Sequence, residues 1–363
     1  MRKNLSIESL RGLAAILMAA GHVIGSDATR GMTVGDDSGW RLFYLLLEDV
    51  RMPLFAALSG FVYAYRPIDD GGDYGRMVWG KVRRLLVPLI TVGTLFVAVQ
   101  SIIPDTNAAS TGDFLRLYVF GVGHFWFLQA IFLVFLLVGV LDLLGVLDRP
   151  RYWMVITAAA VLLAIFVRVP EPVDFFSISG AIALLPFFLL GYGAHRFISN
   201  PPRVRLVAVV AVAFVVFYAV RALEIVGVVD ISLQALLADR VLVGFAAVSL
   251  LLLLRDRIRL KPLAWLGQFA FAIYLLHVFG SAAARIVLSR LGIDNDFVVF
   301  AVCMLFALAI PTVFEMTLGR IGWISWAFLG QKPYRPRPRQ PLPAPDPDTE
   351  SPSSAIRPVR SRR

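Results

Sequence analysis

The chain has 363 residues, 58% of them hydrophobic and only 17% charged, with a mean hydropathy of +0.74. A soluble domain carries about 25% charged residues, so this composition cannot clothe a soluble surface, while its wealth of Leu, Val, Phe and Ile excludes a disordered chain. The lone Cys303 excludes an internal disulfide, and the formal charge of +10 falls in short clusters between apolar stretches, which argues against nucleic acid and for membrane topology.

A helix needs about 20 apolar residues to cross the hydrocarbon. Ten segments qualify: 7–26, 42–65, 85–103, 125–147, 152–168, 178–195, 204–221, 233–254, 263–284 and 297–319. The expected fold is therefore an all-α integral membrane bundle of about ten transmembrane helices. The first has Arg2 and Lys3 ahead of its apolar run, as a secretory signal would, but Glu8, Arg11 and His22 interrupt it, so it is read as a retained helix. In the eighth, Asp239 and Arg240 leave a clean apolar core only over 241–254. The stretch 321–330, with Trp323 and Trp326, is too short to span and is expected at the interface. Residues 1–330 form the expected transmembrane domain, and 331–363, rich in Pro, Arg and Ser, a disordered basic tail. Lys and Arg crowd the N-terminus and the connections around 66–84, 149–151, 196–205 and 255–261. That bias places both termini in the cytoplasm.

An ionisable group at the bilayer centre costs about 2.5–3.5 kcal/mol on insertion scales, so each one is a functional candidate. Arg11 and His22 lie three turns and about 20° apart, on one stripe of the first helix and about 16 Å apart along its axis. Arg11 sits near the cytoplasmic end and His22 in the outer half. The bland alternatives are an anchor paired with Glu8 for Arg11 and a helix-packing hydrogen bonder for His22; imidazole is also the side chain best suited to moving protons near neutral pH. His277, in the ninth segment, and His124, opening the fourth in the run His124-Phe125-Trp126-Phe127, fall at similar depth. Asp49 and Arg51 enter the second segment from the same side, ahead of Ser59-Gly60. Singly these are interface anchors or, for Asp49 with Arg51, a surface pair; their recurrence at one level favours a polar cavity opening outward. On the inner side, Lys81, Arg83 and Arg84 satisfy the positive-inside rule and also suit an anion site for phosphates. Glu315, near the inner end of the tenth segment, needs a partner, and Arg11 lies at its depth.

The run Ile7-Glu8-Ser9-Leu10-Arg11-Gly12-Leu13-Ala14-Ala15, with His22 further along, resembles the opening of the acyltransferase-3 family of membrane O-acyltransferases. Met52-Pro53-Leu54-Phe55 with Leu58-Ser59-Gly60-Phe61, Arg83-Arg84-Leu85-Leu86-Val87-Pro88, His124-Phe125-Trp126-Phe127-Leu128, Leu185-Pro186-Phe187-Phe188-Leu189-Leu190-Gly191-Tyr192 and Leu266-Gly267 with Ile273-Tyr274-Leu275-Leu276-His277 are similar to its later motifs, in order. Phe55-Ala56-Ala57 departs from the further aromatics of many members. The resemblance implies Arg11 and His22 as the essential pair, with His277 and Glu315 beside them in the catalytic set. It implies Lys81, Arg83 and Arg84 as donor-binding residues, and Arg51, Ser59, His124, Trp126 and Tyr274 as the acceptor pocket. The implied reaction moves an acyl group, commonly acetyl in that family, from cytoplasmic acyl-CoA as co-substrate to a hydroxyl of an envelope carbohydrate or glycolipid. His22 would be the general base or carry a transient acyl group. Neither a bound cofactor nor a metal is expected, nor a fused hydrolase-like domain after the tenth segment. The expected location is a bacterial plasma membrane. A transporter or flippase using the same charges, and a protein whose charges only hold helices together, are the alternatives.

Overall fold

The computed structural model describes residues 4–102, 111–198 and 204–332, which form fourteen α-helices and no strand. Helix α1 (Leu5–Ile24) is started by Asn4, whose side chain accepts from Ser6 N at 3.0 Å, satisfying one of the unpaired first-turn N–H groups. Helix α2 (Gly39–Tyr63) begins at the Ser38 cap and contains Pro53. Helices α3 (Gly71–Lys81) and α4 (Val87–Ile102) are continuous through a single π-helical turn, Val82–Leu86. Pro88 has no N–H to offer the Arg84 carbonyl and its ring crowds that oxygen. The widened turn just before it absorbs the mismatch, with Val87 N bonded to Val82 O. Helices α5 (Thr111–Val119), α6 (Trp126–Leu143), α7 (Pro150–Phe166), α8 (Ile178–Arg196), α9 (Val204–Ile225) and α10 (Leu233–Leu253) follow. The short α11 (Lys261–Gly267), then α12 (Ala270–Arg290), α13 (Asp296–Met316) and α14 (Gly322–Leu329) complete the described part.

Among the described residues, eight stretches are long and apolar enough to cross a membrane: Leu5–Ile24, Gly71–Ile102, Phe114–Leu143, Phe175–Arg196, Val204–Ile225, Leu233–Leu253, Ala270–Arg290 and Asp296–Arg320. The two other predicted segments are also helical. Helix α2 has the length, at 25 residues, but Glu48, Asp49 and Arg51 break its apolar run; α7 is apolar but has only 17 residues. The predicted segment 263–284 divides into α11 and α12 around Gln268 and Phe269, and the segment predicted from 85 begins at Gly71. The tail predicted for 331–363 lies outside the described residues from 333 onward.

Helix α1 is the centre of the packing, against α2, α11, α12 and α13. Apolar burial gives little drive between helices surrounded by lipid, so small residues that bring backbones together matter more. A Cβ at Gly12 would strike the Leu263 carbonyl, and one at Gly267 the Glu8 carbonyl, so these two glycines press α11 onto the first half of α1. Helix α9, by contrast, turns Val209, Val212, Val215 and Val216 outward and is held by α10 and α2.

Candidate active site

Two helices and the turn leading into a third bring three histidines together at the end of the bundle where α1 finishes. The His22 ring lies 4.8 Å from that of His277 and 5.9 Å from that of His124, and the last two are 5.0 Å apart, centroid to centroid. His22 comes from the last turn of α1 and His277 from the middle of α12. His124 comes from the single 3-10 turn, Gly123–Phe125, that leads into α6. That turn starts at Gly123, whose φ of +54° favours glycine, and it tucks the His124 ring inward against Phe96 and Phe125. Tyr274 donates its hydroxyl proton to the His124 carbonyl, locking α12 to the same turn.

The three imidazoles are not equivalent. His277 is fully buried, with Nδ1 2.9 Å from both the Ile273 and Tyr274 carbonyls. A carbonyl oxygen can only accept, so Nδ1 carries the proton and Nε2 keeps its lone pair; Nε2 is buried without a partner. His124 Nε2 lies 3.4 Å from the Leu275 carbonyl, a long contact. His22 packs against this group yet keeps an exposed surface, although Gly21 and Val23 on either side are buried. The Arg51 guanidinium abuts Gly21, where a Cβ would collide with it, and lies 4.4 Å from the Tyr44 ring centroid. Its charge acts on His22, and its Nε is buried without a partner. A lone-pair nitrogen, an exposed imidazole and a guanidinium in one cluster can take a proton from a hydroxyl and steady the negative charge that follows.

The other end of α1 is basic. Arg11 is bonded to Glu8 at 2.8 Å and lies within electrostatic range of Lys81 and Arg84. Between Arg11 and His22 the same stripe of α1 carries Ala15 and Met18, both completely buried. The two ends are therefore separated by packed side chains.

A family model described as Acyltransferase domain matches residues 4–316. The chain belongs to the acyltransferase-3 family. That membership and its long apolar helices make it a multi-pass membrane protein. Nodulation protein NolL of Mesorhizobium japonicum is similar to it, 26% identical over 163 residues, which cover 45% of this chain and 41% of NolL. The match therefore spans less than half of that relative. No solved structure matches.

With the family established, the residues singled out from sequence divide cleanly. His22, His124, His277, Arg51 and Tyr274 converge as described. Ser59 does not join them: it lies about two turns along α2 from Arg51, and its hydroxyl is bonded to the Phe55 carbonyl of its own helix at 2.9 Å. Trp126 faces a separate cavity rather than the imidazoles. Arg11 finds its ion-pair partner in Glu8 on its own helix, and Glu315, expected to pair with it, accepts from Gln331 Nε2 at 2.7 Å. Arg83 and Arg84 donate to the Gly330 and Leu329 carbonyls at 2.8 and 3.2 Å, capping α14. Arg84 also stacks on Phe271 and Lys81 on Phe135. Each Arg keeps further N–H groups for an anion.

One buried carboxylate, Asp142, escaped the sequence reading, and another, Asp49, has partners the sequence did not suggest. Asp49 is not paired with Arg51; it accepts from Arg221 Nε at 3.0 Å and Arg240 Nε at 2.7 Å, while Arg240 also meets Glu48 at 2.9 Å. Asp142 accepts from Tyr63 at 3.0 Å, Tyr192 at 2.8 Å and the Ile68 N–H at 2.9 Å. The signal for Asp142 was Tyr192, the end of the eight-residue motif in α8.

Proposed function

We propose that this acyltransferase takes its acyl group, acetyl in the simplest case, from cytoplasmic acyl-CoA and transfers it to a hydroxyl of an envelope carbohydrate or glycolipid. The bundle crosses the membrane ten times on this reading, α2 and α7 included, with both ends in the cytoplasm. The imidazole cluster at His22 then faces outward, and Arg11, Lys81, Arg83 and Arg84 face the cytoplasm, where they meet the phosphates of the donor. The observation that carries the reading is the accessible His22 imidazole beside the unpartnered Nε2 of His277.

In this mechanism His22 removes the proton from the acceptor hydroxyl, and the oxygen attacks the thioester carbonyl. Arg51 stabilises the resulting oxyanion. Collapse expels the CoA thiolate, which takes back the proton held by His22. His277, its Nδ1 fixed, offers the free lone pair of Nε2 to the His22 ring as that ring turns to the acceptor, and so orients it. General-base assistance of this kind supplies about 10²–10⁴-fold in rate.

Membranes carrying the protein are supplied with labelled acetyl-CoA, and label is followed into extractable glycan and lipid. His22→Ala is expected to abolish transfer while the amount of protein in the membrane is unchanged. Wild-type transfer in that variant would overturn the role of His22, and a wild type that labels neither fraction would overturn the donor. A reporter fused after Gln331 tests the topology, with cytoplasmic activity expected.

A further inference from the structure

We propose that the cavity beside Trp126 is a pyranose-binding subsite that seats a neutral or amino sugar of the acceptor two aromatic side chains away from the imidazole cluster; this rests on the acyl-transfer reading above. The cavity has a volume of about 490 Å³, within the range of about 300–1,000 Å³ that holds small ligands. Trp126 and Phe120 line it together with Arg116, Glu171, Asp174 and Ser179.

That mixture matches the two-sided chemistry of a sugar ring. The axial C–H groups of a pyranose make a weakly electropositive apolar face, which suits the negative face of an indole or phenyl ring. Its equatorial hydroxyls need directional partners, which carboxylates offer as acceptors and a guanidinium as a donor. Among the described residues Arg116 and Glu171 form no ion pair with each other or with anything else within 4.0 Å. Asp174 is bonded to Ser179 N at 2.8 Å and Ser179 Oγ at 2.5 Å, which fixes the carboxylate and leaves a lone pair on each oxygen. Two carboxylates against one guanidinium disfavour a phosphorylated or sulfated sugar.

The frame around the cavity is built to hold its shape. Phe176 and Ser177 both have φ of +54°, and left-handed backbone at non-glycine residues costs about 1–3 kcal/mol each. Buried bonds hold it in place: Ser177 Oγ donates to Gln129 Oε1 at 2.9 Å, and Gln129 Nε2 donates to the Leu117 carbonyl at 3.1 Å. These bonds tie α5, α6 and the segment before α8 together.

The cavity is linked to the imidazoles through aromatic rings. Trp126 is two residues from His124, and its ring lies 6.1 Å from Phe127, which lies 5.5 Å from Tyr274, which lies 5.6 Å from the His124 ring. Two aromatic side chains, Phe127 and Tyr274, thus stand between the Trp126 ring and the His124 imidazole, and a glycan long enough to pass them brings its reacting hydroxyl to His22.

The test uses the full chain in lipid nanodiscs, with methyl glucoside and methyl N-acetylglucosaminide as probes in saturation-transfer NMR. Transfer to ring protons is expected in the wild type and in His22→Ala. It should fall at least fivefold in Trp126→Ala and in the surface variant Glu171→Gln, with recovery in Trp126→Phe. Equal signals in the wild type, W126A and E171Q, or none in the wild type, would overturn the subsite. The acyl-transfer reading fails separately, if the wild type binds the glycosides but moves no acetyl group from acetyl-CoA to any acceptor.

Discussion

His277 and His22 differ in what surrounds them, and that difference assigns their work. The Nδ1 of His277 is engaged by two carbonyls of its own helix and its Nε2 by none. An Asn at position 277 keeps a donor near Nδ1 and removes Nε2; a Gln reaches toward Nε2 and loses the Nδ1 anchor. If His277 orients and accepts from His22, His277→Asn lowers kcat about 100-fold, of the size expected for losing proton-transfer assistance, and leaves the thermal midpoint unchanged. Steady-state kinetics with acetyl-CoA, beside a melting curve of the same preparation, separate this from a packing role, which would move the midpoint first. The histidines were legible in the sequence because ionisable groups inside apolar helices are few and their depth can be counted from the helix ends. Their convergence was legible only as a common level. The partner of Asp49 was not legible, since Arg221 and Arg240 lie 172 and 191 residues further on and only the bundle brings them near. The fixed tautomer of His277 depends on carbonyls that any helix supplies, so no residue pattern announces it.

Elements were legible where apolar length decides and obscure where a helix is polar or broken. Helix α3 carries Asp73, Arg76 and Lys81, so hydropathy hides that it continues α4. The division of α11 from α12 serves a contact: Gly12 and Gly267 let the two backbones touch, and α11 must stop for α12 to turn toward His22. Gly267→Ala puts a methyl group into the Glu8 carbonyl. Overpacking of this kind costs about 1–3 kcal/mol, read as a lower thermal midpoint in detergent, and Gly12→Ala should behave alike because it opposes the same interface. Helix α9, which exposes one valine after another, is fastened differently. Asp49 on α2 holds Arg221 of α9 and Arg240 of α10, and Tyr218 of α9 donates to the Leu46 carbonyl at 3.1 Å. Removing one partner from a buried ionic group costs about 3–5 kcal/mol, and Glu48 and Glu224 moderate the loss by keeping one carboxylate for each Arg. Asp49→Ala is therefore expected to reduce the amount of folded protein in the membrane. In the protein that remains, activity per molecule should stay near wild type. A variant of normal abundance that had lost activity would place Asp49 in the chemistry instead.

Across the whole molecule the decisive feature is the distance between the basic end and the imidazole end of α1, together with what fills it. Arg11 and His22 share a stripe, and an extended pantetheine arm laid along that stripe would have to pass Ala15 and Met18. Both are completely buried, so on the proposed reading this is the closed state of the enzyme. Helix α1 itself is pinned by its glycines and by Ser9, whose hydroxyl bonds the Leu5 and Leu260 carbonyls at 2.8 and 3.2 Å. The movable part is therefore the Met18 side chain, which has three rotatable bonds and no polar anchor. A bulky, rigid ring at position 18 tests this. Met18→Trp should stop acetyl transfer while Arg11, Lys81 and Arg84 still bind CoA, measured as retained protection by CoA against heat. Met18→Ala removes the obstruction and should extend the usable donors from acetyl to longer acyl chains, seen as a raised ratio of butyryl to acetyl transfer. Undiminished transfer by the Trp variant would show that the thioester reaches His22 along another face of α1, and the stripe between the two ends would then be only core.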